Sequence, residues 1–276
     1  VTVTLSAFAD EISADPQTQL SVLAAESISH LELRSAWSVN VADFTDVHLA
    51  DFRAAIGDAG VRVSAIGSPI GKIAIGAPFA PELERMRRVA GIAGVLGTAL
   101  VRVFSFYMPA GEAPERYRTQ VIDQMGMLAR VAEEHGVVLA HENEKEIYGD
   151  LPDRCADLIA SVASPALRAT FDAANFVQCG VRPFSDAYPL LRQHLEYLQV
   201  KDALAATGEV TPAGEGDGQV RETLTALRDS GFTGFMSLEP HLDLAGRQGG
   251  FSGPDKFRRA AQALKHLLSE LAIGWQ

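Results

Sequence analysis

Cysteine is almost missing from this chain: Cys155 and Cys179 are the two in 276 residues. That excludes a disulfide framework and a cysteine-rich zinc site, and both are expected to be free thiols in a reducing compartment. Basic residues are scarce as well. The 24 Lys and Arg face 35 Asp and Glu, a formal net charge of -11. Such a surface repels a phosphate backbone at long range, so no nucleic-acid partner is expected. No apolar run approaches the roughly 20 residues needed to cross a bilayer. The opening Val1-Thr2-Val3-Thr4-Leu5-Ser6 lacks the basic and long apolar segments of a secretory leader. A cytoplasmic location without a membrane partner is the expectation. Glycine is absent from Phe8-Ala9-Asp10-Glu11, where a doubly wound dinucleotide fold would place its fingerprint.

What is present alternates regularly. Strand-like stretches are Val3–Phe8, His30–Leu33, Val61–Gly67, Ala99–Phe104, Val137–His141, Arg168–Phe171, Leu195–Val200 and Gly234–Leu238. Between them lie amphipathic segments at Pro16–Ala25, Val47–Ala59, Pro81–Leu96, Pro114–His135, Leu151–Val162, Ser185–Arg192, Gln219–Asp229 and Pro254–Ala272. Asp15-Pro16 offers an N-cap followed by proline at the first helical turn. Gly60, Gly97 and Gly136 mark helix ends. Repeating βα units of about 30 residues, with no linker dividing them, predict one α/β domain over residues 1–276, an eight-stranded (β/α)8 barrel. Chemistry in such barrels sits at the carboxyl ends of the strands.

Acids gather at those ends. Glu142, Asp172 and Glu239 directly follow strands five, six and eight. A buried strand has no reason to finish on a carboxylate unless that end faces water or a ligand. Converging carboxylates repel one another, and a bound divalent cation keeps them ionised. Three oxygen donors suit Mn²⁺, Mg²⁺ or Co²⁺, while zinc usually prefers more nitrogen or sulfur. Gln199 stands where strand seven would supply a further donor; it serves equally as a hydrogen-bond partner for a neighbouring carboxylate. Lys201 shares its face with Gln199 by strand alternation, placing both in the barrel mouth. It would hold a substrate hydroxyl or pair with Glu239. Glu144 alternates with Glu142 and competes with it as the strand-five ligand.

Further rim candidates are Asp10 and Glu11 after strand one, Glu32 and Arg34 at the end of strand two, and His241 beyond Glu239. Arg102 suits a substrate clamp or an ion pair with Glu32 or Glu142. Gly67-Ser68-Pro69-Ile70-Gly71-Lys72 resembles an anion cradle, without the spacing of a P-loop. Phe8, Trp37, Phe106 and Tyr148 offer an apolar wall for sugar carbons. Gly214-Glu215-Gly216-Asp217-Gly218 reads as a mobile rim loop and partial lid.

With these motifs the chain resembles the xylose isomerase-like sugar phosphate isomerase/epimerase superfamily. The likeness runs nearly end to end. It is carried by Ser6-Ala7-Phe8-Ala9-Asp10-Glu11, Gly67 to Lys72, Glu142-Asn143-Glu144-Lys145, Phe171-Asp172-Ala173-Ala174-Asn175-Phe176 and Leu238-Glu239-Pro240-His241. The resemblance implies a xylose isomerase-like TIM barrel with a divalent metal, Mn²⁺ first and Mg²⁺, Co²⁺ or Zn²⁺ as alternatives. Its ligands would be Glu142, Asp172, Gln199 and Glu239, and Glu142 and Glu239 would move the proton. Glu11, Arg34, Lys72, Arg102, Glu144, Lys201 and His241 are the candidate substrate contacts. Gln199 departs from the family pattern, which has histidine there, and Asn175 replaces a second histidine found in many relatives. The implied reaction is isomerisation or epimerisation of a ketose, keto-inositol or related polyol, in a protein that pairs with copies of itself in many relatives. Two other readings stay open: a dehydratase or lyase acting on keto-sugars or 3-keto-glycosides, and a sugar-binding barrel without turnover.

Overall fold

Alternation of buried apolar strands with amphipathic helices produces a closed (β/α)8 ring. The computed structural model describes residues 1–246 and 249–276. The ring strands are β1 Thr2–Ala7, β2 His30–Leu33, β3 Arg62–Ile66, β4 Leu100–Val103, β5 Val138–Glu142, β6 Leu167–Asp172, β7 Leu195–Val200 and β8 Phe235–Leu238. Every one lies within one residue of its predicted bounds. Neighbours are parallel in the order β1, β8, β7, β6, β5, β4, β3, β2. A single bridge between Phe8 and Glu32 closes the ring. A short strand, β9 Gly274–Trp275, pairs with the flank of β1 away from β8.

The helices are α1 Pro16–Ala25, α2 Asp46–Ala59, α3 Ala80–Leu96, α4 Arg118–His135, α5 Pro152–Val162, α6 Ala173–Gln178, α7 Tyr188–Leu191, α8 Val220–Asp229 and α9 Gly253–Glu270. Local chemistry sets many of their ends. The Asp15 carboxylate accepts from the Thr18 N–H at 3.0 Å, with Pro16 opening the helix. Thr45 and His48 form a reciprocal cap on α2. Gly60, Gly97 and Gly136 end α2, α3 and α4 in the left-handed region. The predicted helix over 114–135 is a 3₁₀ turn, Pro114–Tyr117, followed by α4, and that over 185–192 is a π turn followed by the short α7. Helix α6, two small hairpins, Ser35–Asn40 and Asp202–Thr211, and an antiparallel pair of Leu244–Gly246 with Gly249–Phe251 add to the predicted elements.

Outward strand residues such as Leu5, Leu31, Val101 and Leu198 join helix residues such as Leu23, Phe52, Leu128 and Leu264 in one buried apolar layer. The inside of the ring differs along its axis. Its floor packs Tyr197 with Leu100, Val138 and Phe235. Above them Ser6 Oγ and Ser64 Oγ are 2.6 Å apart, and Ser64 Oγ is 2.8 Å from Tyr197 OH. Toward the carboxyl ends the interior becomes ionic.

The glycine run 214–218 is tied down, correcting the expectation of a mobile lid. Asp202 accepts backbone N–H groups from Gly214 at 3.0 Å, Gly216 at 3.0 Å and Gly218 at 2.7 Å. A Cβ at Gly216 or Gly218 would sit 2.5 Å from Asp202 Oδ1. Glycine is there because the backbone wraps a carboxylate.

Candidate metal centre and substrate cavity

Strands β5, β6 and β8 end at one height on the inner face. One oxygen each from Glu142, Asp172 and Glu239 therefore lies within 4.8 Å of the other two. All three residues are buried. Asn143 fixes the β5–β6 register: its side-chain N–H donates to Asp172 O at 2.9 Å, and its Oδ1 accepts the Asp172 N–H at 3.0 Å. Asp172 Oδ1 also accepts the Asn175 N–H at 2.9 Å, capping α6. Asn175 Nδ2 then donates to Glu142 Oε1 at 3.0 Å.

Cations compensate these acids. Lys201 Nζ bridges two of them, 2.8 Å from Asp172 Oδ2 and 2.5 Å from Glu239 Oε2. Arg102 Nη1 is 3.2 Å from Glu142 Oε2 and 3.7 Å from Glu239 Oε1. Arg34 spends its guanidinium on three acids: Asp10 at 2.7 Å, Glu11 at 3.1 Å and Glu239 at 2.9 Å. It also donates to Gly250 O at 3.2 Å. His241 Nε2 lies 3.1 Å from Glu11 and 3.4 Å from Glu239. Phe8 carries both guanidiniums on its ring, Arg34 at 4.7 Å and Arg102 at 4.9 Å from the centroid.

This unequal pairing splits the two glutamates. Burial pushes Glu142 up to about 8, with Arg102 opposing and the Glu239 charge reinforcing the rise. Burial raises Glu239 too, but Lys201, His241 and Arg34 outweigh it and hold that carboxyl well below the ordinary range. Burial lifts Asp172 despite Lys201. Burial lowers the Lys201 ammonium, yet Asp172 and Glu239 carry it well above an ordinary lysine.

The residues present fit a divalent ion. The donors are hard oxygens. One further observation agrees: Gln199 Oε1 is buried without a hydrogen-bond partner. Lys201 Nζ, 2.8 Å from Asp172 Oδ2, supplies that oxygen with both a charge and a donor. Gln199 is level with Asp172 in the β6–β7 register.

Above the acids opens a cavity of about 510 Å³, lined by residues including Glu144, Asn175, Lys201 and His241, with Ala245 and Gly246 of the Leu244–Gly246 strand on one side. Glu142, Asp172 and Glu239 are not in its lining. They are reached through Asn175, Lys201 and His241, each of which touches both the cavity and a carboxylate. Glu144 pairs with Lys72 Nζ at 3.4 Å and stands apart from the triad. The 67–72 loop is not an anion cradle: its Gly71 N–H donates to Glu82 Oε1 at 2.7 Å. It delivers Lys72 instead, 4.3 Å above the Phe104 ring.

Of the predicted apolar wall, Phe8 alone stands beneath the site's charged groups. Trp37 packs on Phe44 and His48, Phe106 on Phe79, and the Tyr148 hydroxyl donates to Asp157 at 3.0 Å. Asn175 joins the centre as a hydrogen-bond donor, a part that its place three residues after Asp172 signalled.

The chain matches the family described as xylose isomerase-like TIM barrel over residues 25–268. It is 33% identical over 179 residues to a 2-epi-5-epi-valiolone 7-phosphate 2-epimerase of Actinoplanes sp., a match spanning 64% of each protein's length. D-psicose 3-epimerase from Clostridium cellulolyticum H10, solved with D-tagatose, superposes with a TM-score of 0.75 at 16% identity, covering 98% of this chain and 99% of that one. A xylose isomerase-like TIM barrel protein from Mycobacterium smegmatis, in complex with magnesium, gives a TM-score of 0.69 at 16% identity, covering 98% and 97%.

Proposed function

Because the chain belongs to the xylose isomerase-like TIM barrel family, we propose that it is a metal-dependent isomerase or epimerase of a ketose, keto-inositol or related polyol. The observation that carries this reading is the buried meeting of Glu142, Asp172 and Glu239 beneath a cavity of about 510 Å³. The epimerase named for the Actinoplanes relative supports it. Glu142, Asp172 and Glu239 hold the ion, with Gln199 as fourth donor, and Mn²⁺ is the first candidate. Once bound, the metal supplies Lewis acidity that polarises a substrate carbonyl.

The remaining work falls to the side chains. One of Glu142 and Glu239 takes the proton from the carbon beside the carbonyl, and the other returns a proton to the adjacent position or opposite face. They arrive from β5 and β8, three strands apart around the ring, so they approach a bound carbon from different sides. Asn175 and Arg102 fix both oxygens of Glu142. Lys201 and Arg34 do the same for Glu239. Lys201, Glu144 and His241 border the cavity and contact the substrate hydroxyls. Glu11 acts from behind by holding His241, Arg34 and Arg102 by holding the two glutamates, and Lys72 orients Glu144.

The test is proton exchange. Mn²⁺-loaded protein incubated in D₂O with a panel of ketoses and keto-inositols incorporates deuterium next to the carbonyl, read by NMR. Glu142→Gln and Glu239→Gln each slow that exchange by about 10²–10⁴-fold. Undiminished exchange in both variants would remove the two glutamates from the reaction.

A further inference from the structure

Gln199 is the one donor of the proposed set whose orientation is not fixed by charge, since its amide offers a donor at one end and an acceptor at the other. The Nε2 end is taken. It donates to Glu32 Oε1 at 3.2 Å, reaching from β7 to β2 across the ring interior. A carboxylate only accepts, so Glu32 selects the nitrogen and turns the oxygen away. That oxygen, Gln199 Oε1, is buried and has no hydrogen-bond partner. Leaving such a group unmet is costly unless something else sits against it. Its register neighbour on β6 is Asp172, a member of the acidic triad. An unmet oxygen level with a carboxylate of the triad points to the cation that the triad would hold.

We propose that Glu32 is a positioning residue: by holding the Gln199 amide nitrogen, it aims the Gln199 carbonyl oxygen at the ion held by Glu142, Asp172 and Glu239. The inference rests on the metal reading above. Glu32 is not itself among the converging carboxylates. Its role follows the general rule that an outer carboxylate orients a metal ligand through that ligand's spare N–H. A histidine at 199 would present a ring N–H to the same acceptor, so Glu32 serves either residue and Gln199 is the weaker ligand of the two.

The test is Mn²⁺ affinity of the whole chain, measured without substrate by the EPR signal of free Mn²⁺. Glu32→Gln offers Gln199 both a donor and an acceptor, so the amide is free to turn over. Affinity then falls about tenfold to a hundredfold. In a Gln199→Ala background the same substitution causes no further loss, and Gln199→His tightens binding. Thermal unfolding of each metal-free variant confirms that it is folded. Wild-type affinity in folded Glu32→Gln, or an equal loss with and without Gln199, overturns the proposal and leaves the metal reading standing. Wild-type protein that binds no Mn²⁺ at millimolar concentration overturns the metal reading, and this inference with it.

Discussion

The floor and the mouth of the barrel are built on the same eight strands with the same two-residue alternation, yet they fill the ring in opposite ways. At the floor Tyr197, Leu100, Val138 and Phe235 close the interior with neutral groups, and the tyrosine and serine hydroxyls satisfy one another. Two to four residues further toward the carboxyl ends stand Glu32, Arg34, Arg102, Glu142, Asp172, Lys201 and Glu239, all buried. Neutral packing is indifferent to what enters the ring. The ionic layer is not: its carboxylates are tolerable only while cations accompany them. Stability is placed at one end, and at the other a charge arrangement that a ligand can alter.

Three substitutions sharpen this contrast. The largest effect belongs to Lys201→Met, which strands Asp172 and Glu239 without their shared ammonium. It destabilises by about 3–5 kcal/mol in denaturant unfolding at neutral pH, and added Mn²⁺ recovers more stability in this variant than in wild type. Leu100→Ala, at the floor, costs about 2–5 kcal/mol through lost burial and a cavity. It leaves Mn²⁺ affinity unchanged, and a coupled loss of affinity would erase the division between the two ends. Tyr197→Phe removes one hydroxyl from the serine network and costs about 1 kcal/mol, with no response to metal.

The ring was legible because buried parallel strands are short, largely apolar runs, and four of them in the second half end abruptly in acidic or amide residues. The acids were legible for the same reason, since Glu142, Asp172 and Glu239 each interrupt such a run. Two of their partners were legible as well, Lys201 for Glu239 and Arg102 for Glu142, but the longer-range ones were not. Arg34 meets Glu239 across 205 residues of chain and Gln199 meets Glu32 across 167, distances over which no local pattern acts. The small antiparallel strands, two or three residues each, are too short to show a period. Helix α6 was hidden because Asp172 serves twice, as a cap and as a member of the acidic triad. The glycine run misled because a backbone wrapped around Asp202 has the composition of a flexible loop.

The joint between β1 and β2 is one of the ring's two thinnest, beside that between β3 and β4, where Ile66 and Val101 form the one registered pair. Four residue pairs zip β1 to β8, whereas the bridge Phe8–Glu32 joins β1 to β2. Side chains take over as the clasp: Arg34, one residue past β2, grips Asp10 and Glu11 beyond β1. Buried ion pairs are little screened by salt, so this clasp holds at ionic strengths that would slacken an exposed one. Local opening of the hoop therefore requires undoing one guanidinium rather than a ladder, and the group that would be released is the same one that steadies Glu239.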